Sequence, residues 1–155
     1  MHMIRDWMTH PVHCLKPLDS VHHARELMEK YRINQMPVVL DGDVIGIVTD
    51  RDVRDASPSV FDPEPRRKSK SHGTSDPKAI PVEGIMSPGV SLLGPGDSIV
   101  EAARIMARER FGSIPIVEGG RLIGILTRSD LLKALVALAE AGTLPGGASP
   151  EQKRS

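Results

Sequence analysis

The stretch Met36-Pro-Val-Val-Leu-Asp-Gly-Asp-Val-Ile-Gly-Ile-Val-Thr-Asp-Arg-Asp-Val53 occurs a second time as Ile114-Pro-Ile-Val-Glu-Gly-Gly-Arg-Leu-Ile-Gly-Ile-Leu-Thr-Arg-Ser-Asp-Leu131. Without a gap, the copies share Pro37/Pro115, Val39/Val117, Gly42/Gly120, Ile45/Ile123, Gly46/Gly124, Ile47/Ile125, Thr49/Thr127 and Asp52/Asp130. Half of the remaining positions exchange one apolar residue for another. The chain is therefore built from an internal repeat, and any fold assigned to it must accommodate two copies of one unit.

Each copy has the same physical reading. Pro-Val-Val and Pro-Ile-Val are β-branched runs opened by a proline, which a strand tolerates at its first residue. Asp41-Gly42-Asp43 and Glu118-Gly119-Gly120 carry the tight-turn residues of a hairpin. Val44–Val48 and Leu122–Leu126 are apolar runs interrupted only by glycine, as expected for a strand buried on both faces. Thr49 or Thr127 then stands where the chain turns into a helix.

The flanks repeat as well. Residues 3–8 read as a short helical turn, answered by the segment that ends Gly84-Ile85-Met86-Ser87-Pro88. Val12–Leu15 and Val90–Leu93 are candidate short strands. Lys16–Ser20 and Gly94–Ser98 are loops ending in helix-capping residues. The first helix is expected over about Val21–Tyr31, burying Val21, Ala24, Leu27, Met28 and Tyr31. Ser98-Ile-Val-Glu101 is a capping-box sequence at the head of its counterpart, which buries Ile99, Ala102, Ile105 and Met106. The helix after Thr49 is short because Ser57-Pro58 ends it. The last helix, about Ser129–Ala141, carries Leu131, Leu132, Leu135, Val136, Leu138 and Ala139. These are too many apolar residues for one buried stripe, and the excess points to a second subunit.

The expected organisation is a first repeat over residues 1–56, a polar and flexible linker over 57–80, a second repeat over 81–141 and a disordered tail over 142–155. The linker holds a dense basic cluster, Arg66-Arg67-Lys68-Ser69-Lys70, that reads as solvated charge. The fold class is α/β (α+β), two β-α-β-β-α repeats. Each is short to stand alone, so the two are expected to pack sheet to sheet about a pseudo-two-fold axis.

Composition narrows the function. Lys plus Arg and Asp plus Glu balance at 20 each, so no global charge draws the chain to nucleic acid or to an anionic membrane. No apolar run is long enough to span a bilayer, and the N-terminus lacks a signal core, which gives a cytoplasmic expectation. The single cysteine, Cys14, excludes an internal disulfide and a cysteine zinc cluster. It reads as a small packing residue. His10-x-x-His13 and His22-His23 have no acid or cysteine cluster beside them and read as surface or loop histidines, so no metal is expected. No Ser-His-Asp order, paired-carboxylate motif or Walker loop is present, so the chain is not expected to be an enzyme.

What remains is Gly46-x-x-Thr49-x-x-Asp52 and Gly124-x-x-Thr127-x-x-Asp130. Glycine lets a ligand or another backbone approach closely. The threonine hydroxyl and the first helical N–H groups suit a phosphate or ribose oxygen, and the aspartate one turn on can accept from ribose hydroxyls. Such charge-assisted bonds contribute about 1.5–3 kcal/mol each when shielded from water. The competing reading is structural: Thr-x-x-Asp at a strand-to-helix junction is also a helix cap that stabilises by about 1 kcal/mol.

Together these motifs resemble a pair of cystathionine-β-synthase-type (CBS) domains, a Bateman module, over roughly residues 3–56 and 80–140. The resemblance rests on Met8-Thr9-x-Pro11 and Met86-Ser87-Pro88, Met36-Pro37-Val38-Val39 and Ile114-Pro115-Ile116-Val117, and both Gly-x-x-Thr-x-x-Asp segments. The layout is similar to small free-standing bacterial CBS proteins, among them the acetoin-utilisation and hypoxia-response types. The resemblance implies a cleft with two potential sites for adenosine-containing effectors: AMP, ADP, ATP, S-adenosylmethionine, NAD or cyclic dinucleotides. It assigns Thr49 and Asp52 to one ribose-phosphate site and Thr127 and Asp130 to the other. Arg51, or Arg128 with Ser129, stands where phosphates would lie. Adenine is placed near Val12, His13, Met36, Pro37 and Val38, or near Val90, Ser91, Ile114, Pro115 and Ile116. No covalent cofactor is implied. The expected function is regulation in trans of an unidentified protein partner by a homodimer. The alternative is a ligand-independent dimeric scaffold whose Thr-x-x-Asp motifs are only caps.

Overall fold

The computed structural model describes residues 2–56 and 76–144. These divide into two compact units that do not follow chain order: one holds residues 13–56 and 76–90, the other residues 2–12 and 91–144. Each repeat is thus completed by the lead-in segment of the other.

In the unit built on the first repeat, Ser20 Oγ accepts from His23 N at 3.0 Å and starts helix α1, Val21–Tyr31. The helix closes at Arg32 in the left-handed conformation, φ 53°. Strands β1, Gln35–Leu40, and β2, Asp43–Thr49, form an antiparallel hairpin with Pro37 opposite Ile47 and Gln35 opposite Thr49. Its two-residue loop, Asp41 and Gly42, has positive φ at both positions, the twist that matches a hairpin's strands. Helix α2, Asp50–Ala56, follows. Residues 80–82 join this unit through backbone bonds, Val21 N donating to Ile80 O and Val82 N to Asp19 O, each at 2.8 Å. A short strand β3, Ser87–Pro88, then adds to β2. Met36, Val38 and Val48 from the sheet meet Val21, Ala24 and Met28 from α1 in the core, and Val82 closes it.

The second unit repeats this plan. Helix α3, Ile99–Glu109, precedes strands β4, Ser113–Glu118, and β5, Arg121–Thr127, joined by Gly119 and Gly120, again both at positive φ. Helix α4, Arg128–Glu140, ends the unit. The lead-in segment docks on it through Ile4 N to Asp97 O and Ile99 N to His2 O, both 2.9 Å. Thr9 exchanges backbone bonds with Ile125, at 2.8 and 3.0 Å. Ile4, Ile99, Ala102, Ile114, Ile116, Leu126 and Leu138 share this core.

The mixed α and β class and the repeated helix-hairpin-helix order stand as expected. Several local expectations do not. The strands at 12–15 and 90–93 shrink to one parallel bridge each, Leu15 to Val38 and Leu93 to Ile116. Each lies between a lead-in segment and a turn, where Asp19 caps Lys16 N and Asp97 caps Gly94 N, so the chain runs beside the sheet for only one residue. Ser98 caps α3 through Val100 N and not in a capping box, and the Glu101 carboxylate lies 3.7 Å from Arg104. Tyr31 is 40% exposed and Cys14 is exposed as well, so neither is a core residue. The basic cluster at 66–70, most of the linker (57–75) and most of the tail (145–155) lie outside the described residues. Among the described residues, no helix is long and apolar enough to cross a membrane.

Candidate functional site

The repeated threonines stand at equivalent ends of the two hairpins. In the first, Thr49 N donates to Asp52 Oδ2 at 2.9 Å and Asp52 N donates to Thr49 Oγ1 at 3.2 Å. In the second, Thr127 N donates to Asp130 Oδ2 at 2.9 Å and Asp130 N to Thr127 Oγ1 at 3.2 Å. Both are reciprocal caps, so the aspartates satisfy helix and strand ends whatever else they do. The crossing from strand to helix is pinned in the same way twice, by Asp50 N to Asn34 O and by Arg128 N to Gly112 O.

The two carboxylates are not equally engaged. Asp130 is 6% exposed. It also accepts from Thr127 Oγ1 at 3.0 Å, and Thr9 Oγ1 lies 3.3 Å from both its oxygens. Asp52 is only half-buried, and among the described residues it accepts from Thr49 N alone. Ser87, the counterpart of Thr9, does not reach it. Thr9 is a residue that sequence reasoning did not place at the site; its only signal was its fixed position in the lead-in motif.

The glycines face protein. A Cβ on Gly46 would stand 2.6 Å from Met86 Sδ and 3.0 Å from Ser87 O; one on Gly124 would stand 2.7 Å from Met8 Sδ and 3.2 Å from Thr9 O. Of the two reasons for glycine weighed above, close approach of another segment is the one realised.

The remaining expected site residues separate by burial. Met36, Val38, Ile114 and Ile116 are at most 1% exposed and belong to the packed cores. Pro37 and Pro115, buried too, alternate to the opposite sheet face. His13 and Val90 fall with the first repeat's unit, Val12 and Ser91 with the second's. Arg51, Arg128 and Ser129 are exposed at the helix starts, and Arg128 Nη2 donates to Arg110 O at 3.3 Å. His13 stacks on Tyr31, a partner not foreseen. A groove of about 400 Å³ opens between α3 and α4, lined by Ala103, Met106, Ala107 and Leu131, with Arg110 and Arg128. Among the described residues no group of three His, Cys, Asp or Glu side chains gathers to hold a metal.

This duplicated hairpin-and-cap geometry is that of a family built on a two-strand, two-helix repeat. The chain belongs to the CBS-domain family: the family profile matches twice, over residues 4–59 and 82–137. It is 37% identical over 110 residues to the CBS domain-containing protein DDB_G0289609 of Dictyostelium discoideum, covering 70% of this chain and 73% of that one. It is 27% identical over 143 residues to YhcV of Bacillus subtilis, a CBS domain-containing protein, covering 92% of each. Among solved structures, that of CBSX2 in complex with AMP superposes with a TM-score of 0.70 at 28% identity, covering 89% of this chain and 99% of that one.

Proposed function

We propose that this chain is a regulatory sensor: it binds an adenosine-containing effector at its Thr-x-x-Asp ends and passes the bound state to a partner protein in trans, as a homodimer. The observation that carries the reading is the duplicated cap, Thr49/Asp52 and Thr127/Asp130, in a fold whose AMP-bound relative is similar over nearly its whole length. The hydroxyls of a ribose held there would donate to the carboxylate and exchange a hydrogen bond with the threonine hydroxyl, and Arg51 or Arg128 would meet its phosphates. Regulation then needs only that the effector prefer one of two states of the molecule.

The test replaces charge while keeping the cap. Asn accepts the Thr N–H bond as Asp does but loses the charge-assisted bonds to ribose. The double variant Asp52→Asn, Asp130→Asn is expected to melt near the parent temperature and to bind AMP or ATP at least about tenfold more weakly, the equivalent of about 1.5–3 kcal/mol. Unchanged affinity in calorimetry removes the effector from these residues.

A scaffold reading is favoured by a different observation. Both threonine–aspartate pairs are already complete as caps, and Leu132, Leu135 and Val136 of α4 are 62%, 54% and 55% exposed. In that reading the molecule dimerises through α4 and answers no nucleotide.

A further inference from the structure

Carried outward from Pro37/Pro115, the repeat register pairs His13 with Ser91 and Tyr31 with Glu109. Both pairs are in contact, through different chemistry. The His13 and Tyr31 rings are stacked, centroids 3.7 Å apart and planes inclined by 13°. Lys30 Nζ lies 5.3 Å from the Tyr31 centroid. At the equivalent place in the other repeat, Ser91 Oγ donates to Glu109 Oε2 at 2.7 Å, and Glu109 Oε1 takes Arg108 Nη2 at 3.3 Å.

Each pair stands at the candidate end of its own hairpin. Leu15 bridges Val38 in parallel, and His13 precedes that bridge by two residues, on the side of the Gln35–Thr49 end of the hairpin. Tyr31 is the last residue of α1, just before β1 begins. In the second unit Leu93 bridges Ile116 and Ser113 pairs with Thr127, which sets Ser91 and Glu109 at the corresponding end.

We propose that the His13–Tyr31 stack is a base platform and that Ser91–Glu109 withholds one, so that an adenosine ligand is taken at the first repeat's end and not at the second's. This rests on the adenosine-sensor reading above and assigns it one site of two. Stacking on Tyr31 fixes the His13 ring before a ligand arrives, so a purine meets a preorganised flat face at little ordering cost. A carboxylate at that position offers no π face, and covering it with a base would strip water from an ion. The carboxylates agree with this division: Asp52 keeps acceptor capacity that Asp130 has already given to Thr9 and Thr127.

The experiment is calorimetry on the full chain with AMP, ATP and S-adenosylmethionine in parallel, with the Tyr31 ring followed by NMR. Tyr31 is the sole tyrosine, so its ring protons report one place. The parent is expected to bind one adenosyl ligand per chain and to shift the Tyr31 signals. His13→Ala is expected to weaken binding about tenfold, within the range found for removing an aromatic from beneath a base. The double variant Ser91→His, Glu109→Tyr is expected to gain a second site. Two equivalent sites in the parent, or an unaltered affinity in His13→Ala together with no second site in the double variant, overturns the one-site proposal and leaves the sensor reading standing. No binding of any of the three ligands to the parent overturns both.

Discussion

Asp130 and Asp52 occupy the same place in the repeat yet do different amounts of structural work. Both cap a helix, but Asp130 is nearly buried and also gathers the hydroxyls of Thr9 and Thr127. Removing a cap costs about 1 kcal/mol, and leaving two partly buried hydroxyls short of an acceptor adds to it. Asp130→Ala is therefore expected to lower stability by about 2 kcal/mol and Asp52→Ala by about 1, read from urea midpoints. Equal losses would mean that the Thr9 and Thr127 hydroxyls contribute nothing. Ser113 is the opposite case. Its side chain is fully buried and, among the described residues, Oγ has no hydrogen-bond partner, an arrangement that costs about 1–3 kcal/mol in proteins. Ser113→Ala is expected to raise the melting temperature, and a clear fall would reveal a partner for the hydroxyl.

At the scale of elements, periodicity and caps carried most of the information. The bounds of α1, the short α2 and both hairpins follow from apolar spacing, Ser20, Thr49 and the glycine turns. The strands at Leu15 and Leu93 did not, because a four-residue segment with apolar ends looks the same whether it pairs along its length or touches a sheet at one residue. Tyr31 looked like a core residue because it keeps the helical spacing of Val21, Ala24 and Met28. Its exposure follows from its place in the last turn, where its ring meets His13. The excess apolar residues of α4 were legible: Leu132, Leu135 and Val136 are exposed beside the α3–α4 groove. Lys133 and Glu140 lie two turns apart on the same helix, so antiparallel pairing across a two-fold axis sets each against the other's counterpart. The homodimer proposed above would cover this face with a second copy. Leu135→Glu is expected to convert a dimer to a monomer in light scattering, and an unchanged mass would place any dimer contact elsewhere.

At the scale of the whole molecule, the repeat told the fold but not the exchange of lead-in segments. Residues 2–9 complete the second repeat and residues 80–88 the first, through backbone bonds that are not encoded by any local pattern. The candidate site was legible as Thr-x-x-Asp because a cap and a ribose need the same groups; for that same reason sequence alone could not separate them. The slot expected near Met36, Val38, Ile114 and Ile116 was harder to read, since a strand's two faces carry similar aliphatic residues and only the packed structure assigns these four to the core. The most direct measurement is a thermal-shift panel on the full chain with AMP, ADP, ATP, S-adenosylmethionine, NAD and cyclic di-AMP. A ligand at a hundred times its Kd adds about 2.7 kcal/mol, a rise of roughly 5–10 °C for a chain of this size. A sensor gives such a rise with at least one adenosyl ligand; a flat response to all six contradicts it and leaves the dimeric scaffold.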